Sequence, residues 1–369
     1  MGVDSLALTD FRNYSHAETV FHPDCNILVG ENAQGKTNLL EAIACLSGVK
    51  PPRVRADRDL IQFSADAAAL SADVSARQRV FRVQIRLSRA GRRKMSVNGV
   101  PAKSSADLRN VFHTVFFRPE DLQLIRDGAA VRRRFLDAAL CQILPRYAAA
   151  LAAYHDAWTQ KSRILRDAEQ FPALLPALPD FSEQMIRHGA ALIRCRARYL
   201  VRLQEYAAER HSECSRQRET LSVRYRTVST VADPAGPVAD IAAALRAHME
   251  AHERAERASK QCLSGPHRDD FDVEINGRDA RQWSSQGQTR TAALALKLAE
   301  REILRDASGE YPVLLLDDVL SELDPFRQSY ALERVRGGQL FLTCCEEDRL
   351  SDALRGQIFR VRDGTLSPA

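Results

Sequence analysis

The eight residues from Gly30 to Thr37, GENAQGKT, constrain the fold of this chain more than any other stretch. They match the pattern G-x-x-x-x-G-K-[ST], follow the strand-like run CNILV and precede the helix-like run NLLEAIACL. In such a loop the glycines let backbone N–H groups turn toward a phosphate, and the start of the helix adds the positive end of its dipole. We therefore predict an α/β domain that binds a nucleoside triphosphate, against the alternative of a chance glycine-rich turn.

Two side chains of this loop have distinct expected roles. Lys36 is expected to reach the β- and γ-phosphates and to assist catalysis, and the Thr37 hydroxyl is expected to ligate Mg²⁺. The predicted nucleotide-binding residues of the loop are Gly30, Asn32, Gly35, Lys36, Thr37 and Asn38.

A second stretch, PVLLLDDVLSELD, supplies acidic residues for the same site. Residues 313–316 are apolar, as in a buried parallel strand, and Asp317 and Asp318 follow at its carboxyl end, where open α/β sheets bind their ligands. We predict that Asp317 holds Mg²⁺ through water and that Asp318 orients or deprotonates the attacking water. The alternative is a plain strand that ends in two solvated acids.

A late stretch, SSQGQTR, opens another predicted helix at residues 284–290. A serine there is a common N-cap and QGQ can form a turn, but neither explains Gly287 between two glutamines. A helix start with a hydroxyl and a glycine also binds anions. Since one nucleotide is already held at Lys36, we predict that Ser285, Gly287 and Gln288 contact a nucleotide held by another subunit. The sequence leaves open whether Ser284 assists.

Three charged positions each have two interpretations. Arg12, in DFRNY, is predicted to pair with phosphate oxygens, although a surface arginine on a hairpin fits equally well. Glu120 and Asp121, in FFRPEDL, are candidates to sense Mg²⁺ or the attacking water, or simply to cap the next helix.

The 369-residue chain is long enough for two domains, and its composition changes in the middle. Residues 1–120 and 262–369 contain the β-rich runs, whereas residues 121–261 are rich in alanine and arginine and are interrupted by FPALLPALPDF. We predict an α/β head made from both ends of the chain, with an inserted all-α helical-hairpin lobe. The net charge is +5, and residues 126–261 carry the positive excess, with 22 Lys and Arg against 16 Asp and Glu.

One predicted helix of the lobe has an apolar seam and a basic stripe. The seam, typical of a helix that packs on a neighbour, consists of Ile186, Ala190, Ile193, Ala197 and Leu200. The stripe, which fits either phosphate contact or a solvated face, consists of Arg187, Arg194, Arg198 and Arg202. Residues 132–134 and 89–94 are rival basic patches. The sequence contains no base-reading module, so we expect binding without sequence specificity.

The N-terminus, the apolar stretches and the cysteines of the chain indicate the compartment in which we expect it. The N-terminus lacks a basic segment followed by an apolar run, and no stretch of 18 uncharged apolar residues occurs. The eight cysteines show no CxxC pair and no metal spacing with histidine. We expect a cytoplasmic protein without a membrane partner, whose cysteines are small buried hydrophobes.

Read in order, these motifs resemble those of the bacterial RecF family. The matching stretches are FRNY, GENAQGKT, FRPEDL, RRRFLD, GPHRDD, SSQGQTR and LLLDDVLSELD. A phosphate loop, a late signature motif, an acidic strand and the SELD D-loop at residues 321–324 are the ordered parts of an ABC-type ATPase head, and the RecF family is similar to SMC proteins without their long coiled coils. The resemblance covers essentially the whole chain and implies such a head, with mixed β-sheets.

The resemblance implies an ATPase that works as an ATP-dependent homodimer. Two heads would close on two nucleotides, each bound by the phosphate loop of one protomer and by the signature serine, here Ser285, of the other. The closed dimer would bind double-stranded DNA near junctions with single-stranded gaps and, with RecR and RecO, help load RecA in recombinational repair. Hydrolysis would then open the clamp.

The chain departs from the ABC pattern at two positions. Asp318 stands where glutamate is commoner, and Thr343 stands near the position of the switch histidine of transporter ATPases. Both departures favour slow hydrolysis. The missing histidine also argues against a transporter subunit, and a P-loop kinase would not explain SSQGQTR or the D-loop. For GPHRDD the sequence gives no chemical role, and a structural role for His267 is favoured.

Overall fold

The computed structural model describes residues 1–51, 54, 56–335, 337–345 and 356–369. They form two compact units, which we call the head unit (Met1–Gln123 and Ala293–Ala369) and the lobe unit (Leu124–Ala292). The strands are β1 (Gly2–Phe11), β2 (Tyr14–Val20), β3 (Cys25–Val29), β4 (Ala67–Ala76), β5 (Arg79–Ser88), β6 (Lys94–Val97), β7 (Val100–Pro101), β8 (Thr114–Phe117), β9 (Leu221–Arg226), β10 (Asp270–Ile275), β11 (Arg278–Asp279), β12 (Val313–Leu316), β13 (Leu340–Cys344), β14 (Gln357–Arg362) and β15 (Thr365–Pro368). The helices are α1 (Lys36–Leu46), α2 (Ser105–Arg109), α3 (Ala129–Ile143), α4 (Pro145–Asp167), α5 (Leu178–Cys214), α6 (Val238–Ser259), α7 (Ala280–Trp283), α8 (Gln286–Ser308) and α9 (Pro325–Arg334).

The first sheet of the head unit carries the phosphate loop. Its strand order is β15-β14-β3-β13-β12-β8, and all neighbours except β14 and β15 run parallel. Every residue of β3 and β12 is buried, as expected for strands of a parallel sheet covered on both faces. The carboxyl ends of β3, β12 and β13 therefore meet at one edge, and the predicted strand, loop and helix around residues 25–46 are confirmed.

The second sheet of the head unit is antiparallel, in the order β2-β1-β4-β5-β6-β7. Buried and less buried residues alternate along β4, which is the pattern of a strand with one face on the core. Strands β5 and β6 form an antiparallel hairpin in the β-rich part of residues 1–120, and they pair from Val83 with Val97 to Arg86 with Lys94. This sheet and α1 share one apolar core, which includes Leu8, Leu39 and Ile85.

The lobe unit contains the predicted helical hairpin. Helices α4 and α5 are joined by a segment whose residues 172–177 form a 3-10 helix without buried side chains. The five residues of the predicted seam, Ile186, Ala190, Ile193, Ala197 and Leu200, are all buried, which confirms that this face of α5 packs in the core of the lobe.

The prediction that the lobe is entirely helical is wrong. Strand β9 lies within residues 121–261 and pairs with β10 along its whole length, from Asp270 with Arg226 to Ile275 with Leu221. This pairing places residues 270–275 in the lobe unit, which extends to Ala292, beyond the expected boundary at residue 261. The β-rich run at residues 270–275 completes a sheet of the lobe, whereas the sequence suggested a return to the head.

The GPHRDD stretch, residues 265–270, forms a buried polar network inside the lobe. The Asp269 carboxylate accepts hydrogen bonds from the hydroxyls of Tyr225 and Thr227 and lies 3.6 Å from Nη1 of Arg196. Asp270 accepts from Nε and Nη2 of Arg132 at 2.6 and 2.8 Å. Both acids therefore join the start of β10 to the elements around it.

His267 is also a structural residue of this network. Its Nε2 contacts the Cys262 carbonyl at 3.1 Å and its Nδ1 contacts the Tyr154 hydroxyl at 2.6 Å. Burial lowers the pKa of His267 to about 4, so the ring is neutral at pH 7. The contacts agree with the structural role that the sequence favoured.

Candidate functional site

The phosphate loop has a backbone shape that its glycines make possible. Gly35 has φ of 118°, a conformation that L side chains rarely adopt. A Cβ on Gly30 would lie 2.3 Å from the carbonyl oxygen of Val361 in β14, so only glycine allows this close approach. The Gly35 carbonyl accepts from the buried Tyr14 hydroxyl at 3.0 Å. These features fix the conformation of the loop at the end of β3.

Lys36 is buried and donates from Nζ to the carbonyl oxygens of Gly30 and Glu31 at 2.6 and 3.1 Å. These acceptors are neutral groups of its own loop, so an anionic phosphate is the stronger partner for the ammonium. The thiol of Cys345 lies 3.7 Å from Nζ and 3.3 Å from Oδ1 of Asn32. The sequence expected buried cysteines, but Cys345 is exposed because it follows β13 at the open edge of the sheet.

The predicted metal residues are brought together. Oγ1 of Thr37 lies 2.9 Å from both carboxylate oxygens of Asp317, and Oγ1 of Thr343 donates to Oδ1 of Asp317 at 3.0 Å. Asp317 is buried at the carboxyl end of β12. Hydroxyl and carboxylate oxygens are the ligands that Mg²⁺ prefers, so these residues suit that ion.

Asp318 follows directly and is only partly buried. Its N–H donates to Oγ1 of Thr343 at 2.8 Å, and its backbone has φ of 50°, in the left-handed region that aspartate tolerates better than most residues. Thr343 thus fixes both acids through one hydroxyl. Thr343 lies in β13, one residue before the strand ends, and it is the residue that the sequence analysis placed near the position of the switch histidine.

Arg12 is held against the helix of the phosphate loop. Its Nε and Nη2 donate to Oε2 of Glu41 in α1 at 3.1 and 2.8 Å, and its Nη1 donates to the carbonyl of Asp59 at 2.8 Å. Nearby, Nδ2 of Asn38 donates to Oδ1 of Asn13 at 2.8 Å. Arg12 therefore belongs to the surroundings of the loop, and its contact with phosphate stays a prediction.

A cavity of about 790 Å³ opens beside these residues. Its lining includes Arg12, Asn13 and Asn38 together with the segment 58–64, in which Phe63 is fully exposed. Sequence reasoning missed this segment because it matches no motif. Its one signal was the large aromatic residue Phe63 in the mostly polar run QFSAD.

The structure favours one of the two roles considered for Asp121 and Glu120. Asp121 accepts from the N–H and from Nη2 of Arg118, both at 2.9 Å, and thereby closes the 3-10 turn over residues 119–123. Glu120 lies 4.0 Å from the same arginine. These contacts fit the capping role. The D-loop also ends in a cap, since the Asp324 side chain accepts from the N–H of Arg327 at the start of α9.

The signature stretch lies in the lobe unit at the start of α8. Oγ of Ser285 accepts from the N–H of Gln288 at 3.2 Å, and Oε1 of Gln288 accepts from the N–H of Ser285 at 2.8 Å. This reciprocal pair is a capping box. The Ser284 hydroxyl instead donates to the Ala280 carbonyl. Gly287 lies in the first turn of α8, and nucleotide binding by Ser285, Gly287 and Gln288 stays a prediction.

The basic patches differ in exposure. Arg187, Arg198 and Arg202 of the α5 stripe are exposed and Arg194 is half-buried. In the rival patch at residues 132–134, by contrast, Arg132 is buried against Asp270. That part of the patch is a structural ion pair, which the sequence pattern could not distinguish from a surface cluster. In the patch at residues 89–94, Arg93 pairs with Asp57 at 2.7 Å.

Within the part of the chain that the structure describes, no helix is both long enough and apolar enough to cross a membrane.

Comparison with known proteins places these features in a wider group. The family model RecF/RecN/SMC N terminal domain matches residues 2–365. The chain is 36% identical to the DNA replication and repair protein RecF of Bacillus subtilis (strain 168), over 99% of this chain and 100% of that protein. It is 38% identical to the protein of the same name from Symbiobacterium thermophilum, over 99% of this chain and 98% of the other.

Solved structures agree. The structure described as the recombination mediator protein RecF-ATPrS in the RecFOR pathway matches with a TM-score of 0.92 and 32% identity, over 99% of this chain and 97% of that one. The Smc head domain from Pyrococcus furiosus, with a TM-score of 0.56 and 15% identity, shares the fold. The mixed α/β architecture expected of an SMC-related head is thereby confirmed.

Proposed function

The chain belongs to the RecF family, and from this premise we propose that it is an ATP-dependent DNA-binding clamp in recombinational repair. The observation that carries the proposal is the group formed by Lys36, Thr37, Asp317 and Thr343 at one edge of the parallel sheet. It combines a cation for phosphates with oxygen ligands for a metal ion. The name of a solved relative, RecF-ATPrS in the RecFOR pathway, supports ATP as the nucleotide.

We assign the nucleotide contacts as follows. Lys36 leaves its loop carbonyls for the β- and γ-phosphates, and the backbone N–H groups from Gly30 to Gly35 surround them. The cavity lined by Arg12, Asn38 and the segment 58–64 is then the space next to the phosphates that can take the base and ribose. Asn32 lies in the same loop and contacts Cys345.

Mg²⁺ fits the oxygen atoms of Thr37 and Asp317. We propose that Oγ1 of Thr37 is a direct ligand and that Asp317, which Thr343 orients, holds the ion through water. When bound, the ion neutralises charge on the phosphate oxygens. Thr343 keeps the Asp317 carboxylate facing the loop.

We assign Asp318 as the residue that orients or deprotonates the attacking water. Its backbone is fixed by Thr343, and its partly buried carboxylate stands at the same edge of the sheet. Aspartate is one methylene shorter than glutamate, so the carboxylate reaches less far toward the γ-phosphate. Hydrolysis is therefore expected to be slow, as suits a clamp that stays closed for a set time.

The signature residues Ser285, Gly287 and Gln288 are assigned to the nucleotide of a second copy of the chain. The start of α8 offers a hydroxyl and backbone N–H groups to an anion, and Lys36 already serves the nucleotide of its own head. The functional unit is then a homodimer that closes on two ATP molecules. Closure would create the surface for double-stranded DNA near single-strand gaps, with RecO and RecR as partners and RecA as the protein loaded, in the cytoplasm.

The proposal is tested by sedimentation with and without ATP, combined with binding of duplex DNA. ATP should convert monomers to dimers and strengthen DNA binding. Ser285→Arg should leave ATP binding by the monomer intact but block closure, whereas Asp318→Asn should trap the closed dimer. If ATP changes neither the mass nor the DNA affinity of the wild-type protein, the clamp is excluded. If Ser285→Arg still dimerises normally, the role of the signature serine in the partner's site must be abandoned.

The fluorescence of Trp283 can report dimer closure directly at the signature stretch. Trp283 precedes the signature serines directly and its side chain is 70% exposed. In a Trp158→Phe background it is the only tryptophan, since the chain has two. ATP should shift its emission to shorter wavelength in the wild-type sequence and leave it unchanged in Ser285→Arg.

A further inference from the structure

A line of hydrogen bonds leads from the signature serine to the long helix of the lobe. The Gln288 side chain accepts from the N–H of Ser285 through Oε1, and its Nε2 donates to Oε1 of Glu219 at 2.8 Å. One amide group therefore caps α8 and also attaches it to Glu219. Glu219 lies between α5 and β9, far from α8 in sequence.

The second oxygen of Glu219 reaches α5. Its Oε2 lies 3.1 Å from Nε2 of His211, which is completely buried in the last turn of α5. Each oxygen of the Glu219 carboxylate thus bonds a different side chain, and the two contacts together restrict its rotation. The order of contacts is thus Ser285, Gln288, Glu219 and His211.

The segment that carries Glu219 is itself held to α5 and to the sheet of the lobe. In α5, Gln204 donates from Nε2 to the Leu221 carbonyl at 2.9 Å and accepts from the N–H of Val223. Next to Glu219, the N–H of Thr220 donates to Oδ1 of Asn276 at 2.9 Å. These bonds attach the segment after α5 to α5 itself and to Asn276, so we expect a displacement of α5 to move Glu219.

The signature loop is held from a second direction by Arg126. Its Nη2 donates to the carbonyl of Ser284 at 3.0 Å. This contact fixes the residue before Ser285, and the Gln288 amide fixes Ser285 itself. Among the contacts of the described residues, the Gln288 contact is the one that continues to α5, through Glu219.

We propose that Glu219 is a positioning residue for Ser285, and that the His211–Glu219–Gln288 contacts couple helix α5 to the ATP site. The inference rests on the proposed function, in which Ser285 binds the nucleotide of a second copy. Duplex DNA that binds the exposed arginines of α5 then changes the free energy of ATP-driven closure through these contacts. By linkage, closure changes the affinity for DNA by the same factor. Glu219 touches neither nucleotide nor DNA in this scheme.

The test compares Glu219→Ala with Glu219→Gln. Alanine removes both contacts, whereas glutamine retains an oxygen that accepts from Gln288. Removing a hydrogen bond to a charged group typically costs about a tenfold change in an equilibrium. We expect Glu219→Ala to weaken ATP-driven dimerisation about tenfold, to leave ATP binding by the monomer unchanged, and to lose any stimulation of dimerisation by duplex DNA. Glu219→Gln should restore most of the dimerisation.

The matched control is Glu209→Ala, which removes an acid that is 57% exposed on α5 and lies 3.6 Å from Arg210. It should behave as wild type in all three measurements. If Glu219→Ala does not fold by circular dichroism, Glu219→Asp decides, because it keeps the charge but withdraws the carboxylate from Gln288, and it should weaken dimerisation severalfold.

The outcomes separate the inference from the proposed function. If the wild-type protein does not dimerise with ATP, the proposed function fails. If it dimerises, and folded Glu219→Ala or Glu219→Asp dimerises equally well and responds equally to DNA, the positioning role is overturned while the clamp stands. A loss in Glu219→Ala that Glu219→Gln does not reverse would also overturn it, because the retained acceptor would then have no effect.

Discussion

The nucleotide site of the head unit and the GPHRDD network of the lobe unit both bury charged side chains, but for different purposes. At the nucleotide site, the described partners of the Lys36 ammonium are two carbonyls and the Cys345 thiol, all neutral groups, and the Asp317 carboxylate accepts from hydroxyls. In the lobe, Arg196 and Arg132 meet the carboxylates of the GPHRDD stretch. A charge that faces neutral groups can exchange them for a ligand, whereas a charge matched by an opposite charge within the fold holds the fold together.

The largest expected effect that tests this comparison is that of Lys36→Met in the head. Methionine retains most of the length of the side chain and removes the charge, so ATP affinity should fall about a hundredfold or more, because several charge-assisted hydrogen bonds to phosphate are lost. Equilibrium binding of ATP measures this. Both tryptophans lie in the lobe, so urea unfolding followed by their fluorescence should be unchanged. A large drop in lobe stability would mean that Lys36 supports the fold.

The converse prediction concerns Arg196→Met in the lobe. The Arg196 guanidinium donates to the Pro266 carbonyl at 2.7 Å, to the Tyr147 hydroxyl at 2.9 Å and to Asp137 at 2.8 Å. Removing one partner from a buried ionic network typically costs about 3–5 kcal/mol of unfolding free energy, since the remaining carboxylates lose their compensation.

The measurement for Arg196→Met is again urea unfolding followed by tryptophan fluorescence. ATP affinity per folded molecule should stay as in the wild type. Arg196→Met is thus expected to lower stability and not ATP affinity, the reverse of Lys36→Met. A variant with wild-type stability would show that these buried contacts contribute little, and would remove the distinction between the two units.

The sequence was most informative where chemistry depends on local spacing. GENAQGKT predicts its strand, loop and helix because one continuous stretch forms them, and the pair Asp317 and Asp318 follows from a strand that ends at the site. The contribution of Thr343 was harder to see, because a single threonine in a strand gains its role only when β13 pairs next to β12.

The lobe was less predictable for the same reason. The role of Arg132 depends on Asp270, which lies 138 residues later, and nothing in RRRF distinguishes it from exposed arginines. Strand β9 has only six residues, and its partner β10 seemed to belong to the head. The contacts of Glu219 likewise join segments that are distant in sequence. Long-range pairing, which leaves no local pattern, accounts for these errors.

A smaller effect is expected from His267. Its pKa of about 4 in the folded lobe lies below the ordinary value of histidine because the ring is buried. Between pH 6.5 and 4 the unfolded chain therefore binds a proton that the folded chain does not. The contribution of His267 to the free energy of unfolding should be fully present above about pH 6.5. It should be lost as the pH is lowered, and the loss should reach on the order of 3 kcal/mol at pH 4.

Urea unfolding at pH 7, 6 and 5, monitored by tryptophan fluorescence, tests this for the wild type and for His267→Gln. Glutamine has no proton to gain in this range, so the variant should lose less stability between pH 7 and 5 than the wild type does. Equal losses in the two proteins would show that another group causes the acid sensitivity.

The smallest effect is expected from substitution of the exposed arginines of the lobe, which should change DNA binding and not stability. Arg187 and Arg202 lie on the exposed face of α5, so Arg187→Gln combined with Arg202→Gln should leave stability unchanged. If each arginine meets one phosphate of duplex DNA, the slope of the logarithm of affinity against the logarithm of salt concentration should decrease by about two units, since about one counterion is released per contact.

The control is Arg163→Gln in α4, an exposed arginine outside the stripe that should leave the slope unchanged. A slope that changes equally in both proteins would show that the lobe attracts DNA by its general charge, and that α5 has no special place in the coupling to Ser285.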